Sequence, residues 1–337
     1  MKLDQDISRR ISIAKFLMII GVVIIHIPPY TALPDLAFNF TDTTKAFFSH
    51  AFFRAGVPIL AAISGYLLFR SSLHLNMPKL IIKKARTLII PLIIWNIPFA
   101  IVIVAVQYYN PHIYDAAYIL YPFSLEGWLN GVFSMYNPPF NKPLYFLRDL
   151  FVIAVLAPLY WQLFKKIPYL GFAVIIVIFA YDLDGPLITR DSMYAAYYLG
   201  ILAATQKWDL RMLDKYAYPL FALYVMGCIF MIFYKIDNRD AYSIIAPFLI
   251  WPILSKITYT RAGDILVDNA KHSFLLFLSH VPIMFIFYQL YMRIDNNIPY
   301  LVFWLVTPVI TTFIIIKFLS KTEQISPPLY RLSTGGR

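Results

Sequence analysis

Two residues in one apolar stretch near the start of the chain could take part in chemistry. The stretch reads AKFLMIIGVVIIHIPPY from residue 14, with Lys15 at one end and His26 near the other. Eleven residues make about three helical turns, so both side chains would share one helix face, about 16 Å apart along the axis. Ionisable groups inside apolar segments usually line a path or a site, although a lysine can also extend to the membrane surface. An imidazole suits general-base catalysis near neutral pH, since its unperturbed pKa is about 6.5.

A second apolar stretch carries an imidazole and a guanidinium. His50 and Arg54 are four residues apart and would share one helix face, and 15 uncharged residues follow Arg54. An arginine in such surroundings needs a carboxylate, backbone carbonyl groups or an anionic ligand. Ser64 lies farther along, in AAISGYL, where helices can approach closely. We therefore predict that His50 and Ser64 line a cavity, and that Arg54 orients a base or stabilises an oxyanion.

Four cations crowd into eight residues after this stretch. They are Lys79, Lys83, Lys84 and Arg86. Such a cluster is typical of the cytoplasmic end of a membrane span, and it equally suits the phosphates of a phosphorylated cofactor. Both interpretations can hold for the same side chains.

Two later apolar stretches also carry ionisable groups. Arg148 and Asp149 are adjacent and would project about 100° apart on a helix, so each could pair with a group on another helix. We predict a role for this pair in orienting a base or stabilising an oxyanion. His280 lies in KHSFLLFLSHVPIMF, and we expect it near the middle of a membrane span, where it would line a substrate cavity.

Several familiar catalytic patterns are missing from the sequence. It has no G-x-S-x-G elbow, no H-E-x-x-H motif, no Walker loop and no dinucleotide fingerprint. Only six histidines occur, and no carboxylate lies within a few residues of His26 or His280. Nucleotide hydrolysis and metal chemistry are therefore poorly supported, and we expect no metal.

The elements that position these residues are apolar helices. The chain has 337 residues, 60% hydrophobic and 14% charged, whereas soluble proteins are about 25% charged. Long apolar runs recur from end to end, without the alternation of barrel strands. We predict an all-α polytopic integral membrane protein with about ten transmembrane helices. The predicted spans are 11–28, 46–69, 87–107, 144–164, 167–181, 192–206, 217–234, 241–256, 272–292 and 298–319.

The distribution of basic residues predicts the topology. With the N-terminus inside, 21 of the 29 lysines and arginines fall in the inner segments. The positive-inside rule therefore places both termini in the cytoplasm. Because the net charge of +11 is mostly explained in this way, the lipid bilayer is the expected partner and nucleic acid is not.

No linker or low-complexity tract divides the chain. We predict one transmembrane domain over 1–320 and a cytoplasmic tail over 321–337, which SPPLYRLSTGGR suggests is disordered. Cys228, the one cysteine, allows no internal disulfide. The outer connection 108–143 is rich in Tyr, Asn and Pro, which suits a membrane interface and could also stack against sugar rings.

The order and spacing of these segments resemble a known family, the acyltransferase-3 family of bacterial membrane O-acyltransferases. The likeness is strongest to members that acetylate exopolysaccharide sugars. The first span of the family has an arginine, ten residues and a histidine; here His26 matches the histidine and Lys15 replaces the arginine. The segments that carry the likeness are IAKFLMIIGVVIIH, FFRAGVPILAAISGYLLF, KKARTLIIPLIIWN, YFLRDLFVIAVLAPL and HSFLLFLSHVP.

The resemblance implies an acyltransferase of the bacterial cytoplasmic (inner) membrane. It would move an acyl group, usually acetyl from acetyl-CoA, to a hydroxyl of an exopolysaccharide, an O-antigen or a lipid-linked glycan precursor. His26 would be the essential histidine, and Arg86 falls in the segment that the family links to CoA. Lys15 would offer a point charge in place of the bidentate fork of an arginine.

Three interpretations follow. In the first, His26 is a general base or, equally, a nucleophile that forms an acetyl-histidine, and the cluster at 79–86 holds the donor phosphates. In the second, the protein is a transporter or flippase for a glycan or its lipid carrier, although no internal repeat supports inverted halves. In the third, it is a non-catalytic subunit that binds polysaccharide biosynthesis enzymes.

Overall fold

The computed structural model describes residues 3–110, 118–181, 183, 185–190, 192–237, 240–294 and 298–336. All regular secondary structure in these residues is helical. In chain order the α-helices are α1 (Gln5–Ile25), α2 (Phe40–Ala46), α3 (Gly56–Arg70), α4 (Met77–Lys84), α5 (Ile90–Tyr109), α6 (Leu125–Phe133), α7 (Tyr145–Phe164), α8 (Pro168–Ala180), α9 (Ser192–Thr205), α10 (Ala217–Phe233), α11 (Asp240–Ile250), α12 (Leu254–Ile257), α13 (Arg261–Asn269), α14 (Ser273–Tyr291), α15 (Tyr300–Lys317), α16 (Thr322–Ile325) and α17 (Pro327–Ser333).

The internal contacts of the chain group it into two compact units. The first unit contains Met1–Leu67 and Leu199–Lys321, and the second contains Leu68–Tyr198 and Thr322–Arg337. In the first unit α1 contacts α13, α14 and α15. In the second unit α7 contacts α4 and α8, and α5 contacts α6 and α17. The single domain over 1–320 stays a prediction.

The helix α1 has clear signals at both ends. The side chain of Asp4 caps its start by accepting a hydrogen bond from the amide of Asp6 at 2.9 Å. At the other end His26 is the capping residue, and Pro28 and Pro29 follow. Proline lacks the amide that a further helical turn requires, so the sequence ends the helix here.

The segment between α2 and α3 is helical but irregular. Phe47–Ala51 forms a wide π turn, and Phe52–Ala55 forms a tight 3₁₀ turn. The carbonyl of Ser49 accepts a hydrogen bond from Arg54 Nε at 2.8 Å, and the carbonyl of Phe52 accepts one from the hydroxyl of Tyr224. Irregular turns of this kind often accompany functional sites, and His50 lies within the wide turn.

Two glycines permit close packing around α1 and α3. A Cβ atom on Gly21 would lie 2.2 Å from Cδ1 of Phe53, and one on Gly200 would lie 1.9 Å from the carbonyl oxygen of Ala62. Both distances are far below van der Waals contact. Glycine at these positions therefore lets a ring and a helix backbone approach directly.

The C-terminal residues are helical, whereas the sequence predicts a disordered tail from residue 321. In the second unit α17 packs against α5, and the indole of Trp95 donates a hydrogen bond to the carbonyl of Ser333 at 3.1 Å. Tyr330 is buried. These contacts give the tail partners that its composition does not reveal.

Several helices are long and apolar enough to cross a membrane, which confirms the all-helical, multi-pass class. Among the described residues six meet this description: Phe40–Arg70, Met77–Tyr109, Lys142–Phe164, Asp214–Phe233, Arg261–Tyr291 and Tyr300–Ile325. Pro168–Ala180 and Ile244–Ile257 are apolar but shorter. The helix α1 has 21 residues, but charges crowd its first half. A helix lies at each predicted span, while the count of ten membrane crossings and the cytoplasmic termini stay predictions.

Candidate active site

The first unit brings two imidazoles together at the end of α1. The ring centroids of His26 and His280 are 5.5 Å apart, and the ring planes are inclined by 59°. His26 is half-buried, and His280, in α14, is 0% exposed. The sequence predicts both residues as site residues, but nothing in it pairs them.

The hydrogen bonds of the two rings determine which nitrogen carries a proton. His26 Nδ1 lies 2.7 Å from the carbonyl oxygen of Val22, and His280 Nδ1 lies 2.8 Å from that of Phe277 and 3.1 Å from that of Leu276. Because a carbonyl only accepts, each Nδ1 must be the donor, and each neutral ring keeps its lone pair at Nε2. His280 Nε2 is buried and has no hydrogen-bond partner among the described residues.

The way in which α1 ends supplies the carbonyl that holds His26. In the last turn the amide of His26 donates to the carbonyl of Val23 at 3.2 Å, and the amide of Ile27 donates to that of Ile24 at 3.4 Å. In a regular helix the amide of His26 would instead bond to Val22. Because the last turn is tightened, the Val22 carbonyl accepts a hydrogen bond from the imidazole of His26.

The backbone immediately after His26 is held by three side chains from three other segments. The hydroxyl of Tyr300 donates to the carbonyl of Pro28 at 2.9 Å, and Lys45 Nζ donates to the carbonyl of Pro29. His50 Nε2 donates to the carbonyl of Thr31 at 2.9 Å. We call Lys45, His50 and Tyr300 the carbonyl clamp. The sequence predicts His50 as a site residue but gives no signal for the other two.

Lys45 and Tyr300 also interact with each other within the clamp. Lys45 Nζ lies 4.9 Å from the centroid of the Tyr300 ring, a cation–π distance. Lys45 is 8% exposed, and no carboxylate forms an ion pair with it among the described residues. A carbonyl and a ring face contact its ammonium, and the carboxylate of Asp42 attracts it electrostatically without forming an ion pair.

The remaining predicted residues of the first unit are positioned as follows. Lys15 is half-buried on α1, three turns before His26. Arg54 is half-buried beside the wide turn, where a backbone carbonyl is one of its partners, as the sequence predicts for an arginine in apolar surroundings. Ser64 donates its hydroxyl to the carbonyl of Leu60 at 2.8 Å, within its own helix.

A cavity of about 470 Å³ lies along the first half of α1 in the same unit. Ile11, Ala14 and Met18 of α1 contribute to its lining, which is mostly apolar. The polar lining residues lie in the loop 206–209. Met18 precedes His26 by eight residues, about 12 Å along the helix axis, so the cavity and the imidazoles occupy different levels of α1.

In the second unit Arg148 and Asp149 are buried and pair with each other, at 3.0 Å between Nη1 and Oδ1. The sequence leaves each of them open to partners on other helices. Asp149 Oδ2 accepts hydrogen bonds from the amides of Thr189 and Arg190 at 3.1 and 3.2 Å. The guanidinium donates to the carbonyls of Ser134, Met135 and Leu187 and to the hydroxyl of Thr189. The pair thus holds two loops together, and its role in catalysis stays a prediction.

The predicted phosphate-binding cations also belong to the second unit. Lys79, Lys83 and Lys84 lie on α4, and Arg86 lies in the wide turn that follows it. Lys79, Lys83 and Arg86 are exposed, and Lys84 is half-buried. No group of three or more His, Cys, Asp or Glu side chains that could hold a metal ion occurs among the described residues.

Comparison with known proteins identifies the chemistry of this chain. A family model described as an acyltransferase domain matches residues 9–319. The chain belongs to the acyltransferase-3 family. The resemblance inferred from the sequence is thereby confirmed, and the protein is an acyltransferase.

A curated relative of this acyltransferase-3 chain has a name that refers to a polysaccharide. The chain is 29% identical, over an alignment of 356 positions, to succinoglycan biosynthesis protein ExoH of Rhizobium meliloti (strain 1021). The alignment covers 99% of this chain and 94% of the relative. No solved structure matches the chain.

Proposed function

We propose that this acyltransferase moves an acetyl group from acetyl-CoA to a sugar hydroxyl of an exopolysaccharide, an O-antigen or a lipid-linked glycan precursor. It would do so in the bacterial cytoplasmic (inner) membrane. Family membership supports acyl transfer, and a relative named for succinoglycan biosynthesis supports a glycan acceptor. The observation that carries the mechanism is the bond from His26 Nδ1 to the Val22 carbonyl, which leaves the Nε2 lone pair as the basic position.

In the proposed reaction His26 acts as the general base. Its Nε2 takes the proton of the sugar hydroxyl while the hydroxyl oxygen forms a bond to the thioester carbonyl carbon. The tetrahedral intermediate then expels the CoA thiolate, which receives the proton from the imidazolium. The products are the sugar ester and the CoA thiol, and His26 returns to its neutral form. General-base assistance of this kind contributes about 10²- to 10⁴-fold in rate.

His280 assists this base in the proposed mechanism. Its ring lies next to that of His26, and its Nε2 lone pair can accept a hydrogen bond. Because Nδ1–H of His26 already donates to Val22, this acceptor would bind the new Nε2–H of the imidazolium and release it when the proton passes to the CoA thiolate. A buried imidazole with an open acceptor is unfavourable as packing alone, since a buried polar atom normally has a partner.

The direct test replaces His26 by alanine and follows the transfer of label from acetyl-CoA to carbohydrate in membranes. We expect activity to fall by about 10²-fold or more, with the protein level and membrane insertion unchanged. The matched control is His272→Ala, a histidine at the start of α14 to which the mechanism gives no part, and it should stay active. A His26→Ala protein with full activity would remove His26 from the mechanism.

Lys15 is proposed to guide the anionic donor toward His26 from the same helix face. Lys15→Arg keeps a cation at this place and should stay active, whereas Lys15→Ala should lose most of its activity. Equal activity in wild type and both variants would make Lys15 an ordinary lysine at the membrane surface.

The exposed cations of α4 are proposed to bind the phosphates of acetyl-CoA. Lys79→Ala and Lys83→Ala should each raise KM for acetyl-CoA about two- to fivefold, the usual size of an exposed charge contact, with kcat unchanged. Lys165→Ala is the control, because this exposed lysine donates to Gln162 and lies outside the cluster. An unchanged KM in both cluster variants would argue against donor binding here.

We also propose that the chain crosses the membrane ten times and that both termini lie in the cytoplasm. The inner excess of basic residues and the helix at each predicted span support it. Cys228 is the one cysteine, so a Cys228→Ser background allows new single cysteines to be labelled from either side. Cysteines placed at Ser72 and Gln206 should react from the cytoplasm, and labelling of either from outside would contradict the topology.

A further inference from the structure

We propose that Lys45, His50 and Tyr300, the carbonyl clamp, are positioning residues for His26. They hold the backbone after α1 so that the helix ends at Ile25, and this ending gives the imidazole its carbonyl partner. The proposal rests on the proposed function, in which His26 is the base. None of the three residues needs to contact the reacting atoms.

The hydrogen bond that holds the His26 ring differs from those that hold the His280 ring. His280 lies inside a regular helix, so its two carbonyl partners also serve the helix backbone, and the bonds measure 2.8 and 3.1 Å. His26 Nδ1 lies 2.7 Å from the carbonyl oxygen of Val22, which the amide of His26 does not use because that amide donates to Val23. The end of the helix therefore fixes one tautomer and one ring orientation for His26.

The segment that follows α1 is held in place through its backbone carbonyl groups. Pro28 and Pro29 stop the helix, but they have no amide with which to bind the rest of the protein. Their carbonyls, and that of Thr31, are the groups by which the segment can be held. Each of the three accepts a hydrogen bond from a different element: the start of α15, the end of α2 and the wide turn after it.

Lys45 brings a buried positive charge to the carbonyl clamp. A buried ammonium in a membrane-spanning segment is unfavourable unless its partners compensate. Here the carbonyl of Pro29 and the ring of Tyr300 contact the ammonium, and the carboxylate of Asp42 attracts it electrostatically. A charged donor binds a carbonyl more strongly than a neutral one, so the cation at this position is suited to holding a backbone segment firmly in place.

The test removes one donor at a time and compares each variant with a matched tyrosine. Tyr300→Phe deletes the bond to Pro28 but keeps the ring beneath Lys45. Tyr291→Phe is the control, because its hydroxyl donates to the carbonyl of Ile298 at 3.1 Å, outside the segment 28–31. Lys45→Met removes the charge and keeps the length of the side chain.

We expect kcat to fall about tenfold in Tyr300→Phe and about 100-fold in Lys45→Met, since small displacements of a catalytic group have effects of this size. KM for acetyl-CoA should stay unchanged, and Tyr291→Phe should match the wild type. A purely structural role would instead reduce the amount of folded enzyme and leave kcat per folded molecule as it was.

A second readout follows the tautomer of His26 directly. The full-length protein is labelled with ¹⁵N-histidine, and the His26 signals are assigned by their loss in His26→Ala. We expect a protonated Nδ1 and a bare Nε2 in the wild type and in Tyr291→Phe, and a mixture of tautomers in Lys45→Met. Wild-type tautomer and kcat in both clamp variants would overturn the proposal.

The His26→Ala variant, measured in the same assay, distinguishes a failure of the proposed function from a failure of the clamp proposal. If it is active, the proposed function fails and the clamp has no base to position. If it is inactive while Tyr300→Phe and Lys45→Met keep their kcat, the proposed function stands and the clamp proposal alone is wrong.

Discussion

Both units contain ionisable groups within apolar helices, but these groups are bonded in different ways. The first unit has an imidazole pair, and the second unit has an ion pair. Arg148 and Asp149 pair with each other and direct the rest of their hydrogen bonds to the backbone and a hydroxyl of two loops. His26 and His280 bond to the backbone through Nδ1, and His280 keeps an open acceptor at Nε2. We propose that buried groups bonded in the first way hold the fold together, whereas the open acceptor of His280 serves the reaction.

The most severe loss is expected when Arg148 is replaced, because its ion pair with Asp149 is then broken. Arg148→Met would leave the carboxylate of Asp149, which is 0% exposed, without its cation. Breaking a buried pair in this way typically lowers the free energy of unfolding by about 3–5 kcal/mol, so most of the protein should fail to fold. The amount of folded protein after detergent extraction measures this.

Arg190→Met is the control for that change. Arg190 is exposed, and its amide, which the substitution retains, is the group that bonds to Asp149. Its stability should stay within about 0.5 kcal/mol of the wild type. If Arg148→Met folded normally and lost only its activity, Arg148 would belong with the imidazoles, and the comparison would be wrong.

A smaller loss, in kcat, is expected when the open acceptor at His280 Nε2 is removed. His280→Asn keeps a donor near the position of Nδ1 and lacks an acceptor at Nε2, whereas the longer amide of His280→Gln can bring an oxygen to that place. We expect kcat to fall on the order of 10- to 100-fold in His280→Asn and less in His280→Gln, below the full contribution of a general base. Equal loss in both variants, with less folded protein, would make His280 a packing residue.

The sequence predicts the helices well where apolar runs have sharp ends. The span predicted at 144–164 corresponds to α7 (Tyr145–Phe164), and that at 272–292 corresponds to α14 (Ser273–Tyr291). The wide and tight turns between α2 and α3 could not be predicted, because no proline or glycine within Phe47–Ala51 or Phe52–Ala55 marks a break. The helices beyond residue 321 have no signal in the local composition, since their partner Trp95 is distant in the sequence.

The sequence likewise reveals some residues of the candidate site and not others. His26 and His280 can be recognised singly because an imidazole in an apolar run is unusual. Their pairing depends on how α1 packs against α14, which no local pattern encodes. Lys45 and Tyr300 stand at the ends of apolar runs, where lysine and tyrosine commonly lie at the membrane surface, so their bonds to residues 28–29 gave no signal.

A smaller effect is expected where α1 meets the tight turn. Gly21→Ala would bring a Cβ atom to 2.2 Å from the Phe53 ring, so the ring must move. Overpacking of this kind costs about 1–3 kcal/mol of stability, and the displaced helix should lower kcat as well. Thermal unfolding and kcat measure the two effects. The double variant Gly21→Ala/Phe53→Leu should recover part of both, and a lack of recovery would mean that another contact is responsible.

The smallest effect is expected at Ser64, whose hydroxyl bonds to the backbone of its own helix. The sequence predicts Ser64 as a cavity residue, but its hydroxyl donates to the Leu60 carbonyl one turn earlier. Such a bond adds little, because the same carbonyl already serves the helix. Ser64→Ala should therefore change stability by no more than about 0.5 kcal/mol and leave kcat and KM nearly unchanged. A large loss of activity would show that the hydroxyl leaves its helix during the reaction, and a hydrogen bond to the backbone would then no longer mark a residue as structural.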